Sequence, residues 1–125
     1  MKRKLCGILS LSLLLLGCCS AAAEGGDKIL YQGHGSLRIV TGEGKVIYID
    51  PYAGEGYDLP ADLILVTHGH QDHTALKLIK NRNEDCQVIT YEEALVKGEY
   101  KTFDLGYATV EAVQAGNNKN HNIKN

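Results

Sequence analysis

Residues 67–73 read Thr-His-Gly-His-Gln-Asp-His, directly after the apolar run Asp62-Leu63-Ile64-Leu65-Val66. Three of the chain's five histidines fall in this stretch together with an aspartate, so it is a local concentration and not a His-rich composition. His68 and His70 are two apart. On extended backbone such residues point to one side, so both imidazoles can reach one ion; on a helix they would diverge by about 200°. Gly69 between them lets the backbone fold tightly. Asp72 and His73 follow at the turn into the next element, where a carboxylate and an imidazole can face a second ion beside the first. Both side-chain types suit zinc. Zinc-bound water, its pKa lowered to about 7, would be a hydroxide nucleophile at neutral pH. Asp72 would then act catalytically, ligating the ion and orienting that water. The bland alternative is a polar loop whose histidines face solvent, and the density of ligand types argues against it.

The flanking elements must hold this loop. Strand-like runs occupy Lys28–Gln32, Ser36–Thr41 and Lys45–Ile49, the last two joined by Gly42-Glu43-Gly44 as a hairpin. Asp50-Pro51 stops the third strand, since proline cannot continue a ladder. Asp62–Val66 reads as a strand buried on both faces. Apolar positions 75, 76, 78 and 79 predict a helix over Thr74–Lys80. A short strand, Gln87–Ile89, leads to Thr90-Tyr91-Glu92-Glu93, a capping-box pattern that predicts a helix through Lys97 ended by Gly98. Tyr100–Leu105 and Tyr107–Val113 read as a hairpin pivoting on Gly106. The order is that of an α+β domain, a sheet with helices on one face.

The N-terminus has the features of a targeting segment. A basic start, Met1-Lys2-Arg3-Lys4, precedes an apolar run from Leu5 to Leu16. That run is short for a membrane-spanning helix of about 20 residues. Leu15-Leu16-Gly17-Cys18 resembles a bacterial lipobox, which implies cleavage after residue 17, lipidation of Cys18 and export as a membrane-anchored lipoprotein. An ordinary cleaved secretory signal is the alternative. Residues 18–27 then form a flexible tether, and residues 28–125 one small domain. Loss of the leader takes the formal charge from −2 to about −5, and an acidic chain with no basic cluster argues against nucleic acid as a partner. Of four cysteines, Cys86 opens an apolar run and reads as a buried structural thiol. Gly44-Lys45 is not a P-loop, because the required upstream glycine position holds Ile39.

His68-Gly69-His70-Gln71-Asp72-His73 resembles the HxHxDH motif of the metallo-β-lactamase superfamily. Gly33-His34-Gly35-Ser36-Leu37 and Ile49-Asp50-Pro51 are similar to the branch that includes L-ascorbate-6-phosphate lactonase. The resemblance runs from about residue 28 to the C-terminus. It implies an αββα four-layer sandwich, of which this chain has only the N-terminal αβ half. It further implies two zinc ions in the complete domain, His68 and His70 on the first and Asp72 and His73 on the second. A third histidine on the first zinc falls to His121, with a solvated tail residue as the alternative. Asp50 is expected to support the metal loop without ligating. His34 borders the substrate pocket or is a structural histidine. Manganese or iron in place of zinc stays open, since the motif does not choose the metal. The implied activity is hydrolysis of a small-molecule ester, lactone, amide or phosphoester. The competing function is a non-catalytic metal-binding lipoprotein domain. The later motifs of the family have no counterpart before Asn125, and an unpaired sheet face would leave Val110 and Val113 poorly covered.

Overall fold

The computed structural model describes residues 25–116. The leader, Cys18, most of the tether and His121 lie outside the described residues. The central element is a five-stranded sheet in the order β1-β2-β3-β4-β5. Its strands are β1 (Lys28–Gly33), β2 (Ser36–Val40), β3 (Val46–Ile49), β4 (Ala61–Val66) and β5 (Arg82–Thr90). The first three run antiparallel, while β4 lies parallel to both β3 and β5. The apolar run therefore takes the fourth position, covered on both faces, with Ala61, Leu63 and Ile64 fully buried. Strand alternation splits the core in two. Val46, Tyr48, Ala61 and Ile64 pack with Ile79 on one face. Ile47, Leu63 and Ile89 pack on the other, against Phe103, Leu105, Tyr107 and Val110.

A register shift between Ala61 and Leu63 turns Asp62 inward, where it is 8% exposed. Its carboxylate accepts from the Val46 N–H (2.8 Å), Asn83 Nδ2 (3.0 Å) and Lys45 Nζ (3.0 Å). One side chain thus ties β3, β4 and β5 together, and Lys45 also sits 5.2 Å over the Tyr107 ring. Burial pushes the Asp62 carboxyl upward, but the Val46 N–H, the Asn83 amide and Lys45 outweigh it and hold the group below its ordinary value.

Two predicted helices are corrected. Thr74–Lys80 is not an α-helix: 3-10 turns occupy Gln71–His73 and Leu76–Leu78. Ala75 N–H is taken by Pro51 C=O at 2.8 Å, which pins the segment to the turn after β3. The tighter 3-10 winding puts residues three apart on one side, and Leu76 and Ile79 both reach the first core cluster. The second predicted helix begins as expected. Thr90 and Glu93 form the capping box, but α1 spans only Tyr91–Ala94. Leu95–Val96 (β6) instead pairs with Glu99–Tyr100 (β7) across Lys97 and Gly98, whose φ values are 53° and 80°. Two consecutive positive φ angles make a hairpin turn rather than a helix end. The strand before α1 is longer than expected, nine residues instead of three. The final hairpin is present as β8 (Thr102–Asp104) and β9 (Thr109–Glu111). Val110 is half-buried in the second cluster, whereas Val113 is 75% exposed. Cys86 is half-buried, and burial pushes its thiol up, away from thiolate chemistry. Among the described residues no helix is long and apolar enough to cross a membrane.

Because the folded state holds Asp62 below its ordinary 3.8, its contribution is present above that pH and is lost as pH falls through the folded-state value. Asp62→Ala strands the Val46 N–H and should destabilise the fold by about 1–3 kcal/mol at pH 7. Urea unfolding should show the gap to the native chain narrowing as pH drops below the carboxylate range. A gap independent of pH would contradict this role.

Candidate metal centre

The histidine loop leaves the end of β4 and is clamped from the end of β3. Asp50 is 4% exposed, and its carboxylate accepts both the Thr67 N–H (2.7 Å) and the Thr67 hydroxyl (2.6 Å). Its own N–H donates to Leu65 C=O at 2.9 Å. Its carbonyl accepts from Ser36 Oγ at 2.7 Å, and that buried hydroxyl also receives the Tyr52 and Ala53 N–H groups. Asp50 has φ 46°, a left-handed conformation that costs a non-glycine residue about 1–3 kcal/mol and persists only where its surroundings impose it.

The imidazoles gather above this clamp. The rings of His68 and His70 lie 4.6 Å apart, and those of His68 and His73 lie 4.0 Å apart. Two overlapping groups have ligand atoms within 4.8 Å of one another: Asp50, His68 and His73, and His34, Asp72 and His73. His73 is thus common to both. The expected pairing of Asp72 with His73 is present in the second group, with Asp72 Oδ1 3.9 Å from His73 Nε2. His70 packs edge-on against His68 but belongs to neither group, whereas Asp50 stands within ligand reach, nearer than a purely supporting residue needs to be. His34 Nε2 contacts Asp72 Oδ2 at 2.7 Å. This contact with His34 holds the Asp72 carboxyl below its ordinary value, against a smaller desolvation effect.

The residues fit a divalent cation. His73 Nδ1 lies 2.8 Å from Asp50 Oδ2 but outside hydrogen-bond geometry, and this buried nitrogen has no hydrogen-bond partner among the described residues. Clustered imidazoles flanked by carboxylates are also the donor set that zinc and similar ions prefer.

Some supporting residues were not singled out from the sequence. Gly35 is one: a Cβ there would sit 2.9 Å from His73 Cε1 and 3.2 Å from Nδ1. Gly69 is held for a second reason beyond flexibility, since a Cβ would meet the Tyr91 hydroxyl at 2.6 Å. Ser36 and Thr67 fasten Asp50. Gly35 and Ser36 lie in the Gly33-His34-Gly35-Ser36-Leu37 motif and Thr67 directly precedes the histidines, but neither placement in sequence names these roles. Beside the loop, with Thr67 and Tyr91 in its wall, lies a cavity of about 380 Å³ lined mainly by apolar side chains including Leu65, Ile89, Leu95 and Val110.

A mixed sheet carrying a His/Asp loop at the end of a buried strand defines a metallo-β-lactamase-like fold, here covering part of such a domain. Residues 28–124 match the Beta-lactamase superfamily domain, and the chain belongs to that family. It is 36% identical over 112 residues to a UPF0173 metal-dependent hydrolase of Thermodesulfovibrio yellowstonii, covering 78% of this chain and 42% of that protein. It is 43% identical over 75 residues to a UPF0173 metal-dependent hydrolase of Geobacillus thermodenitrificans, covering 54% of this chain and 33% of the relative. A crystal structure of a candidate metal-dependent hydrolase from Parabacteroides distasonis superposes with a TM-score of 0.57 at 31% identity, over 73% of this chain and 46% of that one. The chain therefore spans less than half the length of these relatives.

Gly35→Ala tests the packing of the centre. The added methyl should displace His73 and weaken divalent-metal binding at least about tenfold, while the far-ultraviolet circular dichroism stays native. Unchanged affinity in a titration calorimeter would show that His73 does not need its observed position.

Proposed function

We propose that the protein carrying this chain is a metal-dependent hydrolase acting on a small-molecule ester, lactone, amide or phosphoester. The single observation that supports this most is the convergence of His68, His73, Asp50, Asp72 and His34 into two overlapping ligand groups. In this reading His68, His70, Asp72 and His73 hold two zinc ions in the complete domain, and His121 adds a further ligand. Zinc bound there would supply Lewis acidity and a water of lowered pKa for attack on the scissile bond. Asp50 binds the Thr67 N–H and hydroxyl and so fastens the backbone entering the loop. Asp72, ionised and half-exposed, offers a carboxylate oxygen to ion and water alike. The names of the relatives, metal-dependent hydrolases in each case, support the same reaction class.

A second reading keeps the ion and drops the chemistry: a non-catalytic metal-binding domain. The open second group favours it, since the side chains of His34 and Asp72 are 46% and 40% exposed. Metal analysis and a panel of hydrolase substrates separate the two. The hydrolase reading predicts close to two zinc per complete protein, chelator-sensitive turnover, and loss of that turnover by at least about 100-fold in His68→Ala and His70→Ala. Activity that persists without metal would contradict it; metal binding with no turnover of any substrate would favour the second reading.

We also propose export as a lipoprotein anchored through Cys18, supported by the apolar run and the Leu-Leu-Gly-Cys pattern. Cys18→Ala should move the protein from the membrane fraction to the soluble fraction, and an unchanged distribution would contradict the anchor.

A further inference from the structure

We infer that His34 is a positioning residue that fixes the Asp72 carboxylate by donating a hydrogen bond to Oδ2, leaving Oδ1 to face His73 and the second ion. The inference rests on the metal-centre reading above and adds a residue to it. An ionised carboxylate can only accept, so the 2.7 Å contact requires the proton on His34 Nε2. With Oδ2 so occupied, Asp72 Oδ1 stands 3.9 Å from His73 Nε2, a separation that two ligands of one ion can span. His34 Nε2 is thus assigned to Asp72, and the imidazole is given no ion to ligate.

The backbone places the ring. His34 occupies the two-residue turn between β1 and β2 with φ 55°, in the left-handed region that glycine, asparagine, aspartate and histidine enter most readily. The turn is tied by the Tyr31 hydroxyl, which donates to the His34 backbone carbonyl at 3.1 Å, and the imidazole itself packs against the Tyr52 ring at 5.5 Å and the His73 ring at 5.4 Å. The turn's next residue, Gly35, carries no side chain and so admits His73. The hairpin thereby presents one hydrogen-bond donor to Asp72 across 38 residues of sequence.

Cobalt(II) titration of the full chain, followed by visible absorption, tests the assignment alongside thermal unfolding of the metal-free chain. His34→Ala and His34→Gly should weaken the second cobalt by about 10–100-fold and leave the first unchanged. His34→Gln, whose amide nitrogen can stand where Nε2 stands, should recover most of that loss. Metal-free His34→Gly should melt no lower than the native chain, because glycine relaxes the turn. Overturning results are equally defined: His34→Gln as weak as His34→Ala, second-site affinity unchanged in every variant, or a lowered melting temperature in His34→Gly that accounts for the loss. A native chain that takes up no cobalt would overturn the metal-centre reading and this inference with it. Tight binding that survives in all His34 variants would overturn this inference alone.

Discussion

The carboxylate of Asp50 is the constraint on which the centre depends. It extends the β3–β4 pairing past the last ladder bond, from Asp50 N–H to Leu65 C=O, and joins the turn after β3 to the loop after β4. A buried carboxylate must be satisfied, and this one is satisfied by Thr67 backbone and side chain and by the neighbourhood of His73. The strained φ of Asp50 is sustained by Ser36 on its carbonyl and Leu65 on its N–H. Loosening any of these contacts would release the histidine loop from its position above the sheet.

The same logic orders the charges. Two carboxylates stand on opposite sides of His73, Asp50 toward Nδ1 and Asp72 toward Nε2. One is buried and the other is half-exposed, with side-chain exposures of 6% and 40%. The buried one is bound into the fold; the exposed one is open to an ion, a water and a substrate. His73 is therefore the residue through which the two ligand groups communicate. At the other end of the sheet Asp62 performs only the first of these tasks, closing β3, β4 and β5 with no histidine near it in any described contact.

Much of this was legible in the sequence. The strand-like runs joined at Gly42-Glu43-Gly44 and the continuous Asp62–Val66 run predicted strands of the main sheet, because such patterns report burial that a strand must satisfy locally. The HxHxDH spacing and its flanking motifs pointed to the family and its fold, and both are as expected. The failures were tertiary. Thr74–Lys80 has helical spacing, yet its N–H groups are claimed by Pro51 and by 3-10 bonds once Leu76 and Ile79 dock on the core. Lys97-Gly98 resembles a helix stop, but pairing of Leu95–Val96 with Glu99–Tyr100 makes it a hairpin turn. The reach of Asp50 toward His73 and of His34 toward Asp72 depends on which turns the sheet brings together, and no local pattern encodes such long-range contacts.

The most direct measurement is anomalous diffraction at the zinc absorption edge from crystals grown with zinc. The account predicts a peak within coordination distance of His68 and His70 above the Asp50 clamp, with a second peak within coordination distance of Asp72 and His73. No peak in this loop at full zinc occupancy elsewhere, or histidine rings turned outward from a vacant Asp50, would contradict it.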